Sequence, residues 1–173
     1  MISGVLIECY VLPDEKLRNY PYFSLENDGR ACYDLILVSY YDFEMRITYA
    51  DTDRMGVVYY ANYLALFERG RTEFLRSLGL RYRDLEEKKR IFMPAREAHV
   101  EYFGPARYDD MIKVRTCLSE LGHAHLTFGS EIYDEAGKLI AKGWVKLAVV
   151  NLLWKPTRLP ADLRALLEKN LTK

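Results

Sequence analysis

Two aspartates, Asp51 and Asp53, stand two positions apart in the segment RITYADTDRMGVVYYANYLALFERGRTEFLRSLG, residues 46–79. A carboxylate can add to a carbonyl carbon as a nucleophile or take a proton from an attacking water. Such chemistry also needs a donor where negative charge gathers on the carbonyl oxygen. The first N–H groups of a helix supply one, together with a favourable dipole. Asp53 precedes Tyr60 by seven residues, and Tyr60 opens a stretch of helical periodicity. With Gly56 between them, a short loop can fold the Asp53 carboxylate back over the helix start, where the Tyr60 main-chain N–H is the donor. Asp51 is expected to be a turn and capping residue, a role aspartate favours.

These residues need a strand, a helix and a sheet to position them. Met45–Tyr49 reads as a short strand ending in the polar turn Ala50–Asp53. In the following helix Tyr63, Phe67, Gly70, Phe74 and Leu78 recur at helical spacing, widened by Leu64, Arg71 and Leu75, and Gly79 is a C-terminal stop. Mid-helix Gly70 costs about 1 kcal/mol against alanine, so close packing on a sheet is its expected reason. A charged helix over Tyr82–Lys89 precedes four strands, Ala95–Phe103, Met111–Leu121, Leu126–Tyr133 and Lys138–Leu153, separated by turn-rich segments. Leu126, Phe128, Ser130 and Ile132 alternate as in a half-buried antiparallel strand. A closing helix covers Ala161–Leu171. The order predicts an α+β fold in which a curved antiparallel sheet wraps one long central helix.

The 173 residues are enough for one domain with a real core. Equal numbers of basic and acidic side chains, 25 each, argue against a nucleic-acid-coating protein. Residues 1–44 hold 3 basic and 8 acidic side chains, which leaves the rest of the chain cationic and suited to an anionic ligand. That opening segment keeps no helix or strand period. It is expected to be an N-terminal extension, with the domain spanning residues 45–173 and a chain begun at Met45 able to fold and act. Cys9, Cys32 and Cys117 form no paired framework and read as reduced thiols of a cytoplasmic protein. The longest apolar runs fall short of the roughly 18 residues that cross a bilayer.

The sequence resembles the hotdog-fold acyl-CoA thioesterases, in particular the 4-hydroxybenzoyl-CoA thioesterase family and its YbgC-like, Tol-Pal-associated branch. The resemblance is carried by Asp-Thr-Asp, Gly, Val-Tyr, Asn-Tyr-Leu, Phe-Glu and Arg-x-Glu-Phe-Leu at fixed spacing. Further matches in Val100–Tyr102, Pro105–Arg107 and Asp109–Asp110 extend it over residues 45–160. It implies hydrolysis of an acyl-CoA thioester with no cofactor and no metal, by Asp53 as nucleophile or general base, with the Tyr60 amide polarising the thioester oxygen, Gly56 permitting close substrate approach, and Val58, Tyr59 and Tyr63 beside it as further substrate-binding residues. It also implies a homodimer or homotetramer with the site at a subunit interface, and acyl carrier protein as a second thioester donor. Many YbgC-like members carry a histidine where this chain has Tyr60. The departure leaves the amide in place but removes an acid/base partner for Asp53. The acyl group, whether short-chain, branched or aromatic, stays open.

Other residues carry weaker signals. Glu68 and Glu73 on the helix are expected to be solvated or paired with Arg71 or Arg76. His123 and His125 have the spacing of a strand-borne metal pair without a third ligand, so a hairpin turn is the expected role, and His99 is a strand residue. Cys117 is expected in the core. Arg96, Arg107, Lys155 and Arg158 are the candidate cations for the CoA phosphates. A hotdog dehydratase would need a histidine near the helix start, and none occurs before residue 99. The remaining alternative is a catalytically silent hotdog module that binds acyl-CoA or acyl carrier protein.

Overall fold

A computed structural model of the protein describes residues 40–171. Five antiparallel strands form one sheet: β1 (Tyr41–Arg46), β2 (Ala95–Tyr102), β3 (Met111–Leu121), β4 (His125–Tyr133) and β5 (Leu139–Ala148), in the spatial order β1-β3-β4-β5-β2. Helix α1 (Asn62–Ser77) lies on the concave face, and α2 (Tyr82–Lys89) and α3 (Ala161–Glu168) flank it. This is the α+β arrangement that the periodicity predicts, and the hotdog fold that the resemblance implies.

The helix is held by its apolar stripe. Tyr63, Leu66, Phe67, Phe74 and Leu75 are all buried, and the Phe74 ring meets Phe128 of β4 edge-on at 5.9 Å. Truncating such a buried ring to alanine typically costs about 3–5 kcal/mol. Gly70 is where helix and sheet come closest. A Cβ there would stand 2.6 Å from Val114 Cγ1 and 2.7 Å from Thr116 Oγ1, which accounts for glycine despite its poor helix propensity. Leu66, not Leu64, completes the stripe: Leu64 is 39% exposed. Gly79, at φ +79°, ends the helix in the left-handed region.

Two strands end earlier than the sequence expectation, each for a local polar reason. The first strand runs over Tyr41–Arg46 and stops early, because the Thr48 N–H and hydroxyl both donate to the Asp51 carboxylate, at 2.8 and 2.5 Å. That box turns Tyr49–Asp51 into a 3-10 turn and leaves Tyr49 exposed. The strand β5 ends at Ala148 because Asn151 clamps the chain, its side-chain oxygen accepting the N–H groups of Leu153 and Lys155. Leu152, Leu153 and Trp154 are thereby exposed and not buried. Cys117 falls on the outer face of β3 with Lys113 and Arg115, half-buried, outside the core; Cys9 and Cys32 lie outside the described residues.

The expected extension, residues 1–44, lies mostly outside the described residues, but its last four belong to β1. Asp42 makes a two-pronged ion pair with Arg115 of β3, at 2.8 and 2.9 Å. Burial pushes the Asp42 carboxyl up, and the bonds and charge of Arg115 with Lys113 overcome this and hold it below the ordinary carboxylate value. A chain begun at Met45 loses the ladder from Tyr41 to Glu44 along with this pair. It is expected to melt well below one begun at Tyr40, in side-by-side thermal unfolding of the two.

The outer face carries a charged cluster. Glu120 accepts bonds from His125 at 2.9 Å and Thr127 at 2.7 Å, with Lys146 at 3.2 Å. The His125 and Thr127 bonds chiefly hold its carboxyl down at about 2. A depressed carboxyl stabilises the fold above its unfolded pKa, and that contribution fades as pH falls from about 4.5 toward 2. Its exposure to water keeps the contribution modest. Glu120→Gln is therefore expected to unfold at lower denaturant concentration than the native chain at pH 6, the gap closing near pH 2.

Candidate active site

The loop between β1 and α1 is built as a tight hairpin. Thr52 bridges Val58, Asp53 N–H donates to the Val57 carbonyl at 2.9 Å, and Gly56 N–H donates back to the Asp53 carbonyl at 2.9 Å. Gly56 closes the turn at φ +75°, a left-handed conformation that glycine adopts without strain. The Asp53 side chain caps the turn through one oxygen, Oδ1, which accepts the Met55 N–H at 2.7 Å. Among the described residues no hydrogen bond reaches its other oxygen. Capping and chemistry are thus divided between the two atoms of one carboxylate.

This hairpin is docked on the start of α1. The Asp51 carbonyl accepts the Tyr59 N–H at 3.0 Å and the Asn62 side-chain amide at 2.9 Å. Val58 N–H donates to the Ala106 carbonyl at 2.8 Å, and Val57 bridges Arg107. The segment around Arg107 is itself locked. Asp110 accepts the Arg107 N–H at 2.7 Å, and Ile47 exchanges main-chain bonds with Asp109 and Asp110. Pro105–Arg107 and Asp109–Asp110, visible as sequence matches, therefore serve as the shelf under the loop.

Helix α1 begins at Asn62, so Tyr60 lies two residues before it and one before the N-cap, Ala61. Among the main-chain bonds of the described residues, none is donated by the Tyr60 N–H. The Tyr60 carbonyl is anchored by the Tyr102 hydroxyl at 3.0 Å, from β2. Tyr60 and Tyr59 are 63% and 41% exposed, and their rings lie 4.6 Å apart. The Tyr59 hydroxyl is raised above its ordinary value, first by its bond to Tyr60 and the Tyr60 charge, with a smaller contribution from the nearby Asp53 carboxylate. The acid is thus within electrostatic reach of the residues that lead into the helix.

Val58 and Tyr63 are buried, each 3% exposed. Burial raises the Tyr63 hydroxyl, a bond with the Ala106 main chain pulls it partly back, and its ring packs edge-on against Tyr102 at 5.1 Å. Within one chain both side chains support the loop from beneath, while Tyr59 and Tyr60 face outward. Asp51 is 8% exposed with its carboxylate on Thr48, which is the capping role expected of it. Asn62 and Tyr102 carry the site's positioning bonds but no role in the sequence reading. The signal for Asn62 was an amide side chain in the first helical turn, a place where such groups bond nearby main chain.

The weaker candidates resolve elsewhere. Glu68 is exposed, and Glu73 pairs with Arg76. His125 bonds Glu120, Gly122 N–H closes the hairpin on the His125 carbonyl, and His99 stacks on Trp144. Among the described residues no group of three or more His, Cys, Asp or Glu is placed to hold a metal ion. Arg96 pairs with its neighbour Glu97. Arg158 lines a cavity of about 470 Å³ with Lys89, Arg90 and Asn151, and none of the cavity's residues belongs to the 51–62 loop. Among the described residues no helix is long and apolar enough to cross a membrane.

Comparison with known proteins agrees with this architecture. The model of the thioesterase-like superfamily matches residues 47–167. The acyl-CoA thioesterase YbgC of Haemophilus influenzae is 35% identical over 126 residues, 72% of this chain and 92% of the relative. The acyl-CoA thioester hydrolase YbgC of Escherichia coli O6:H1 is 36% identical over 122 residues, 70% of this chain and 90% of the relative. Among solved structures, the DHNA-CoA thioesterase from Staphylococcus aureus superposes with a TM-score of 0.72 at 31% identity, covering 75% of this chain and 89% of that one. With strand order, loop motif and family match in agreement, the chain belongs to the thioesterase-like superfamily, as a hotdog-fold thioester hydrolase of the YbgC-like branch.

Proposed function

We propose that the protein hydrolyses acyl-CoA thioesters to the free acid and coenzyme A, with Asp53 acting on the thioester carbonyl and the Tyr60 N–H receiving the oxyanion. The observation that carries this reading is the docked hairpin. It brings to the same end of α1 a carboxylate and a main-chain N–H that, among the described residues, have respectively one unengaged oxygen and no partner. Two routes use these groups. In the first, Asp53 adds to the carbonyl carbon, the carbon–sulfur bond breaks, and the thiolate leaves with a proton from solvent. Water then opens the resulting mixed anhydride to free acid and carboxylate. In the second, Asp53 takes a proton from the water that attacks, and passes it to the leaving sulfur. Both place negative charge on the same oxygen, beside the Tyr60 amide at the positive end of the helix. Neither calls on a metal or redox cofactor.

Gly56 and Tyr59 are assigned to the substrate side of this site, and Val58 and Tyr63 hold its floor. The active unit is proposed to be a homodimer, or a tetramer of two such pairs, in the cytoplasm. Strand β2 lies at the sheet edge with nearly every residue exposed, a free ladder open to a second copy. Such a pair would enclose the acyl group near Tyr60 and Tyr102, which one chain leaves open. Short, branched or aromatic acyl groups on coenzyme A are the proposed substrates, and acyl carrier protein a second thioester donor. The test is release of free thiol from a panel of acyl-CoA esters ranked by chain length. Turnover of at least one class supports the reading, and no release from any of them overturns it.

A further inference from the structure

We propose that Asn62 is a positioning residue for the thioester-cleaving site, the side chain that fixes the separation between the Asp53 carboxylate and the Tyr60 amide; this rests on the function proposed above. Three anchor points frame the site. The Asp51 carbonyl is the hub, and it receives the Tyr59 N–H at 3.0 Å and the Asn62 side-chain amide at 2.9 Å. Asp53 lies two residues past the hub, and Tyr60 lies between the two donors. The first bond is main chain and survives any substitution except proline. The second depends on one side chain, and it is the bond that ties the hairpin to the rigid helix.

Asn62 does nothing else that would explain an amide there. The α1 N-cap is Ala61, and no side chain caps the helix. The Asn62 amide reaches back over eleven residues to the hairpin and leaves the helix's own first turn alone. The far side of the hub is held as firmly, since the Asp51 carboxylate takes both bonds from Thr48. With one side of Asp51 fixed to the strand end and the other to the helix, Asp53 has little freedom to drift from Tyr60. A displacement of about 1 Å at such a site is enough for a loss near 10²-fold.

Asn62→Asp separates positioning from stability. It keeps the size of the side chain, removes the donor, and faces the Asp51 carbonyl with a second oxygen. An acid in the first turn suits the helix dipole, so the helix itself is maintained. We expect thiol release by Asn62→Asp and Asn62→Ala to fall about 30-fold or more in kcat. Both should keep KM within about threefold and melting temperatures within a few degrees of the native chain, and Asn62→Ala, which adds no charge, an unchanged pH profile. Native kcat in either variant, or a fall in kcat that merely follows a lowered melting temperature, overturns the proposal. Asp53→Asn is measured alongside. Loss there with native rates at Asn62 sinks the positioning role and leaves the function standing, whereas native rates in Asp53→Asn remove Asp53 from the chemistry, and no thiol release by the native chain sinks the function itself.

Discussion

Replacing Asp53 by asparagine is expected to lower thiol release from acyl-CoA by about 10²-fold or more, the scale for removing a positioned base or nucleophile. The substitution is a clean one in this loop. Asparagine keeps an oxygen that can accept the Met55 N–H, so the turn that Asp53 caps stays closed. What it loses is the charge and the basicity of the second oxygen, the atom free for chemistry. Stability should therefore be nearly unchanged while turnover collapses, and thermal melting measured beside the assay checks both halves. Equal rates in the native chain and Asp53→Asn would leave Asp53 with a turn-capping role alone.

The largest effect on the fold is expected at Gly143 on β5. A Cβ there would meet the His99 main-chain oxygen at 2.1 Å and the Phe67 ring at 2.8 Å. A flexible side chain could swing aside, but a carbonyl in the ladder between β2 and β5 moves only with its strand. Gly143→Ala is expected to cost about 3 kcal/mol, the upper range for overpacking, read as a lowered denaturant midpoint. The displacement also has a functional arm. Strand β2 carries Tyr102, whose hydroxyl holds the Tyr60 carbonyl, so residual folded protein should turn over more slowly than native. An unchanged midpoint would show that the sheet yields there at no cost.

How much of this was legible in the sequence depends on which forces set each element. Where hydrophobic period dominates, the reading holds. The strand β3 and the helix α2 have the predicted limits, and Phe67, Gly70 and Phe74 face the sheet. Where a polar side chain overrides the period, it fails. The Thr48–Asp51 box ends β1 at Arg46, and Asn151 turns Leu152–Trp154 out to solvent, although both stretches look like strand. Leu64 shares its helix flank with buried Arg71 and Leu75, yet in the first turn it is 39% exposed, and Leu66 is buried in its place. Cys117 follows the two-residue alternation of β3 onto its outer face, opposite to Val114 and Leu118.

The site shows the same division. The loop motif and its glycine could be read directly, since Asp53, Gly56 and a helix start are encoded within ten residues. The contacts that make the loop rigid come from far along the chain, Ala106 and Arg107 under Val57 and Val58, and Tyr102 on Tyr60. Those partners were visible as matched residues without a stated purpose, because a long-range hydrogen bond leaves no periodic trace in a sequence.

The central claim is geometric, and a crystal structure of the protein with a CoA ketone analogue, in which a methylene replaces the thioester sulfur, measures it directly. The account predicts the ketone oxygen at about 3 Å from the Tyr60 nitrogen and an Asp53 carboxylate oxygen at a similar distance from the carbonyl carbon or from a water beside it. A ketone oxygen bound by other donors, with Asp53 turned away from the carbonyl in every subunit, would contradict it.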